Sequence, residues 1–452
     1  MNLGERARSL TLHLASGWFI AWIVITVVNV VVYGLRRHNG LPLYLEVANN
    51  YVQGNKIYLR PGIESTYDRF AYPPITAFPT VPLIHLPDLL QRIFWCGFNA
   101  GLLVLSICLI TKAARPMIES IARGRDKAVG MMFAIYWTLI GLVVIRHMVS
   151  PLENQSHDII ILACITIGIT GGISRRESLV GLGWGAAAAL KLTPLLYLPF
   201  LIVQGRFKAA SIMLLVLAVL TIIPDLLIRN TTGQTHLEQY YEVIGTAARP
   251  GKSGGEGQWV SWNPLNQNLS GPIYRITAKP PVNYEFHDAI ESWFPLVPMG
   301  DGGRRVVMLT LQFVLLIAVF LSAWWTRGPP RPTEERGLVE LATAGVVMSM
   351  MLLLSPQSSK SHFVVLLVPT AAIVLHLLKT DRDWVGVGIL VSAGILGSLT
   401  GRDIIGAERS ELLLAYGSVA MCSLLLGLGS LRVCRSFATQ KRGEAPTAVV
   451  SD

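Results

Sequence analysis

At 452 residues, 52% apolar and 15% charged, with a positive mean hydropathy, the chain is too apolar for a water-soluble domain of its size and reads as a polytopic membrane protein. Its formal charge of +10 does not mark a nucleic-acid binder, because Lys and Arg lie in short runs between apolar segments rather than on one basic face. The cysteines exclude a disulfide framework or a metal-ligand spacing: four fall inside apolar segments and Cys434 follows the last one, so no metal and no cofactor is expected.

Residues 1–33 form a cytoplasmic N-terminus and an uncleaved first span, the apolar run covering about 9–33. Residues 34–88 form a first outer connection. Within it Tyr44, Val47, Ala48, Tyr51 and Val52 recur at helical spacing, with Glu46, Asn49, Asn50 and Gln53 opposite, which predicts a helix over 43–53 lying on the membrane surface. Gly54 stands where a left-handed helix end is wanted, and Pro73 and Pro74 force an extended entry to the next apolar run.

Residues 89–228 carry further spans. Apolar runs begin near Leu89, Ala128, Asp158 and Ala209, and later near Arg305, Leu338, Ser361, Trp384 and Leu412, about ten crossings in all. Basic clusters at 112–127, 175–176, 206–208, 327–336, 379–382 and 432–442 are cytoplasmic by the positive-inside rule. Residues 179–204 have basic residues on both sides, so they read as a short hairpin rather than a crossing. Thr193 as N-cap and Pro194 as first helical residue place the break just after Lys191. Each arm is then roughly 15 to 20 Å against a hydrocarbon thickness of ~30 Å. Lys191, at the tip, needs an anionic partner or a wet cavity. Gly181, Gly183 and Gly185 lack the strand of a dinucleotide fold and read as close helix packing.

Residues 229–304 form a long outer connection, 305–431 the C-terminal spans and 432–452 a cytoplasmic tail. The stretch Ser261 to Arg275, S-W-N-P-L-N-Q-N-L-S-G-P-I-Y-R, offers Trp262, Asn266, Gln267 and Asn268 to hold a sugar or a headgroup. Lys360 and His362 in S-P-Q-S-S-K-S-H, with Arg146 and Lys191, gather positive charge on the outer side, and a phosphate is what such charge would neutralise.

F-A-Y-P-P at 70–74, A-L-K-L-T-P at 189–194, N-Q-N-L-S-G at 266–271 and S-P followed by Lys360 and His362 occur in an order that resembles the polyprenol-phosphate-mannose-dependent mannosyltransferases. These form glycosyltransferase family 87, also labelled a domain of unknown function. The resemblance runs from about Leu41 to Pro369. It implies an all-α polytopic membrane protein with a GT-C-type multi-helix bundle and interfacial helices in the first outer loop. It also implies an inverting hexosyltransferase of the cell envelope, in the plasma membrane with both termini cytoplasmic and the active site outside. Its partners would be a polyprenyl-phosphate sugar, a glycolipid or glycan acceptor and membrane lipids.

The family places an aspartate as base about four residues before the tyrosine equivalent to Tyr44. Here that neighbourhood reads N-G-L-P-L-Y, with no carboxylate. The expected base is therefore Glu46, two residues beyond Tyr44 but about 200° around the helix. Asp68, separated from F-A-Y-P-P by Arg69, comes second and Glu64 third. Lys191, Lys360, His362 and Arg146 are assigned to the donor phosphate. Tyr72, Gln155 within E-N-Q-S-H, Trp262 and the three amides are assigned to the substrates. The competing reading is a transporter or flippase of lipid-linked sugars, which would hold the same headgroup without cleaving it.

Overall fold

The computed structural model describes residues 40–58, 70, 72–124, 128–231, 233–245, 261–279, 296–328 and 331–443, with positions 24, 28 and 32. Among these residues every regular element is helical. The expected first span, Glu64 and Asp68 fall outside the described residues, those three positions apart.

The predicted interfacial helix is present as α1, Leu41–Val52, with Leu41, Tyr44, Val47, Ala48 and Tyr51 buried and the polar residues turned away. Gly54 ends it at φ +70, and a Cβ there would lie 2.9 Å from the Arg229 carbonyl, so only glycine fits. Pro73 is extended at φ −54 and ψ 150, as its double proline requires. The segment Pro74–Leu83 then winds as a 3-10 helix, because Pro74, Pro79 and Pro82 each remove a donor from an α-helical ladder.

The membrane body follows in chain order: α2 (Asp88–Gly124), α3 (Val129–Glu153), α4 (Asp158–Ile173) and α5 (Glu177–Leu190). Next come a 3-10 turn at Thr193–Leu196, α6 (Tyr197–Val203) and α7 (Phe207–Leu227). The long connection carries α8 (His236–Gly245) and α9 (Ser270–Thr277) before α10 (Asp301–Thr326) and α11 (Thr333–Leu354). A 3-10 stretch at Lys360–Leu366 runs into α12 (Leu367–Lys379), followed by α13 (Trp384–Gly394), α14 (Arg402–Ile405), α15 (Ala407–Ala415) and α16 (Ser418–Gly443).

Among the described residues, seven helices are long and apolar enough to cross a membrane, fewer than the ten crossings expected. The runs at Asp158–Ile173, Thr193–Val203 and Trp384–Leu399 are shorter. The last of these passes through a π turn at Ile395–Leu399, and the run at Leu412 is split where Gly417 takes φ +81. Basic residues 112–124 are not a loop: α2 continues through Pro116 to Gly124. α7 presents Leu214, Leu215, Val219 and Ile222 outward, whereas α11 and the 360–379 span are 83% and 89% buried and form the centre.

Within 179–204 the chain breaks just after α5, and one reading of that break is corrected. α5 stops at Leu190, Lys191 is extended at φ −157 and ψ 123, and the chain turns back at once. Thr193 is not the cap: it lies inside the 3-10 turn, whose preceding residue Leu192 gives no side-chain bond. What pins the arms is a stack of Trp184 on Tyr197 at 3.7 Å and Tyr197 on Phe200 at 4.7 Å. Gly183 lets α5 approach α4 and Gly181 lets it approach α7, with Cys164 and Ala209 carbonyls where a Cβ would stand.

Candidate active site

The polar connections meet at one end of the bundle. Residues 154–157, between α3 and α4, are held on three sides. Asn154 accepts the Gly40 N–H through its carbonyl at 3.0 Å, Gln155 accepts the Trp95 indole N–H at 2.7 Å, and the Asn154 amide reaches Ser361 Oγ at 3.1 Å. Gln155 has φ +51, a left-handed conformation uncommon for a residue with a Cβ, so the strap is over-determined by its contacts. This aims the next residues inward and sets Asp158 at the first turn of α4.

Asp158 is the residue that sequence reasoning missed. It is buried, accepts a bond from Ser156 Oγ, and faces Lys191 Nζ at 3.6 Å and His362 Nε2 at 3.8 Å. A charged residue opening an apolar run reads as a helix boundary. The usable signal was Lys191, which needed an anion, and Asp158 heads the helix before the lysine's own. Lys191 is the break between α5 and the 3-10 turn and belongs to none of the seven spanning helices. Burial lowers its pKa to about 8, against an opposing pull from Asp158. Its nearest carboxylate oxygen lies beyond hydrogen-bond distance, and its ammonium stands 5.9 Å over the Tyr72 ring, so its three donors have capacity to spare.

His362 has a defined tautomer. Its Nδ1 accepts the Ser359 backbone N–H at 3.2 Å, so Nε2 carries the proton and faces the Tyr72 hydroxyl at 3.3 Å and Asp158. The opposite wall is aromatic. His157 Nδ1 is hydrogen-bonded to the Tyr44 hydroxyl at 2.9 Å, and the Tyr72 and His157 rings meet edge to face at 4.3 Å. Burial lowers the His157 pKa to about 4, so the ring is neutral. Burial, and then the Asp158 charge, push the Tyr44 phenol well above its usual range. Among the described residues no group of three His, Cys, Asp or Glu side chains is arranged to hold a metal ion.

Of the residues singled out from the sequence, Lys191, His362 and Tyr72 come together here. Gln155 contributes its backbone to the strap. Glu46 is not among the partners of Asp158, Lys191 or His362, since it lies around α1 from Tyr44. Lys360 and Arg146 belong to a different charge group: Arg146 pairs with Asp403 at 3.3 Å, and Lys360 lies in the field of Arg146, Arg402, Glu153 and Glu411. A two-residue step on a 3-10 turn, three residues per turn, separates Lys360 from His362.

The amides are engaged with backbone. Asn268 Nδ2 donates to the Ser355 and Pro356 carbonyls, Gln267 Nε2 to Pro264 and Leu414, and Asn266 Oδ1 accepts the Ser358 N–H. Beside them Arg275 donates five hydrogen bonds to the carbonyls of Ala415, Ser261, Asn263, Asn266 and Leu414. Trp262 packs on Tyr274 at 5.6 Å, whose ring also carries Arg304 at 5.0 Å.

A multi-pass helical bundle, with a buried carboxylate and imidazole and a largely buried ammonium where its loops converge, defines the class. The family model for glycosyltransferase family 87 matches residues 70–356, more than half of the chain, and the chain belongs to that family: it is a membrane glycosyltransferase. The crystal structure of ArnT from Cupriavidus metallidurans bound to undecaprenyl phosphate aligns over 95% of this chain and 79% of that one, at 13% identity and a TM-score of 0.44. No curated protein matches the chain.

Proposed function

We propose that the chain transfers a hexose, mannose on the family's pattern, from a polyprenyl-phosphate donor to an outward-facing glycolipid or glycan acceptor, with inversion. The observation that carries this reading is the state of Lys191: a largely buried ammonium at a helix break, with no acceptor at hydrogen-bond distance among the described residues, beside the N–H of His362. A phosphate leaving group in a low-dielectric site needs such unspent, fixed donors. The bond from the anomeric carbon to the phosphate oxygen breaks with its electron pair going to the phosphate. The acceptor oxygen bonds from the opposite face, and its proton passes to a carboxylate.

Asp158 is not that carboxylate. In-line attack sets the base roughly 7 to 8 Å from the leaving oxygen, with the sugar between them. With Lys191 bonded to the leaving oxygen itself, that oxygen stands closer to Asp158 than this even when all atoms are collinear, because the pair is 3.6 Å apart. Asp158 keeps Lys191 charged and in place. The base is then left to the other carboxylates of the first connection, of which Glu46 lies around α1 from Tyr44 and Asp68 falls outside the described residues. Arg175, Arg176, Arg206 and Arg432 lie at the other end of the helices, and the positive-inside rule makes that distribution support a site outside the cytoplasm.

The test is purified protein in vesicles with a polyprenyl-phosphate hexose and an octyl hexoside, with product stereochemistry read by NMR. Replacing the true base by its amide should lower turnover by roughly 10² to 10⁴-fold and leave donor binding intact. Lipid transport with neither sugar release nor transfer would replace this reading by the carrier one.

A further inference from the structure

The cations expected around one phosphate divide into two groups. Lys191 and His362 share Asp158, whereas the charges that act on Lys360 are those of Arg146, Arg402, Glu153 and Glu411. The second group is built rather than scattered. Arg146 comes from α3, Arg402 from α14 and Lys360 from the head of a spanning segment. Gly401 leaves room that the Arg146 guanidinium fills, since any Cβ there would collide with it. His147, next in sequence, is buried against Gly397 and Cys422, which fixes the turn of α3 that presents Arg146.

The two guanidiniums have partners at the rim. Arg146 reaches Asp403, whose side chain is 88% exposed, and Arg402 pairs with Glu411. Lys360 has none: among the described residues it makes no hydrogen bond or ion pair, although it is half-buried and lies in the field of both guanidiniums, offset in part by Glu153 and Glu411. A half-buried ammonium beside two like charges is stabilised when an anion joins it. Asp403 and Glu411 are solvent-exposed counter-charges that such an anion can displace. We propose that Lys360, Arg146 and Arg402 form a second anion subsite that takes a phosphodiester, carried by a lipid-linked acceptor or by a bilayer lipid. The donor phosphate is left to Lys191 and His362, a division that rests on the transferase reading. Two lipid substrates then dock by two separate phosphates, with the 360–366 turn between them.

Binding to the full chain in lipid nanodiscs tests this independently of turnover. The probes are an octyl hexoside, its phosphodiester analogue and polyprenyl phosphate, in discs of phosphatidylcholine alone or with phosphatidylglycerol. Lys360→Met should weaken the phosphodiester probe at least tenfold, or abolish enrichment of phosphatidylglycerol around the protein. Polyprenyl phosphate and the neutral hexoside should stay within twofold. The first arm identifies an acceptor-borne anion and the second a bilayer lipid. Lys360→Arg should restore binding, and Arg402→Met, at an exposed side chain, should give a smaller loss of the same kind. Lys208→Met, at the far end, should change nothing. Weakening of polyprenyl phosphate instead, equal loss of all probes, or no change in either arm overturns the proposal.

Discussion

Lys191 faces Asp158 at 3.6 Å across the break of a short membrane hairpin, a cation from the end of α5 held opposite a carboxylate from the start of α4. Neither would be tolerated alone at this depth, and together they form a near-neutral pair with unspent donors. The role given to each residue above rests on this relationship.

The pair sets a pH dependence. Lys191 is charged below its pKa of about 8, so phosphate binding is present at neutral pH and is lost as pH rises through that value. Asp158 opposes the effect of burial; Asp158→Asn removes that support and moves the alkaline limb of kcat/KM to lower pH. Each unit of movement costs about tenfold at pH values above the original limb. A limb that stays in place while activity falls would mean that Asp158 does not act through Lys191.

Tyr44 and His157 make a second buried contact, at 2.9 Å. His157 Nε2 already has no partner, so Tyr44→Phe leaves both ring nitrogens unpaired. The expected loss is about 1 to 3 kcal/mol, read as a lower thermal midpoint in detergent.

Arg275→Met removes five hydrogen bonds at once; the Leu414 and Asn263 carbonyls keep other donors, whereas those of Ser261, Asn266 and Ala415 lose theirs. Since bonds to a charged group contribute about 1.5 to 3 kcal/mol each, this variant should be destabilised more than any surface substitution. Arg275→Lys should not rescue it, because an ammonium cannot replace a planar fork. Limited proteolysis should cut 261–279 faster in both variants, and unchanged cleavage would count against the anchoring role.

Helix approach gives a paired prediction. A Cβ at Gly183 would lie 2.5 Å from the Cys164 carbonyl and the Gly168 nitrogen, whereas Gly97 has open space around it. Gly183→Ala should lower the unfolding midpoint by forcing α5 from α4. Gly97→Ala should be neutral or stabilising, by roughly 0.5 to 1 kcal/mol.

Local pattern made much of this legible. Tyr44, Val47, Ala48 and Tyr51 announced α1, and basic residues flanking 179–204 required the hairpin that leaves Lys191 at its tip. Partners were harder to read, because a partner is a tertiary fact. Asp158 looked like a helix boundary until α5 turned back beside it. Asn266, Gln267 and Asn268 advertised donors and acceptors, but the carbonyls that take them come from residues such as Ser355 and Leu414. Lys360 and His362 looked equivalent in the sequence, and the 3-10 turn gave them different neighbours.

The most direct measurement is the affinity of polyprenyl phosphate for the wild-type chain and for Lys191→Met in nanodiscs at pH 7, with thermal midpoints taken on the same samples. At least tenfold weaker binding at a retained midpoint is the predicted result. Equal affinity with normal turnover would contradict the phosphate site at its centre.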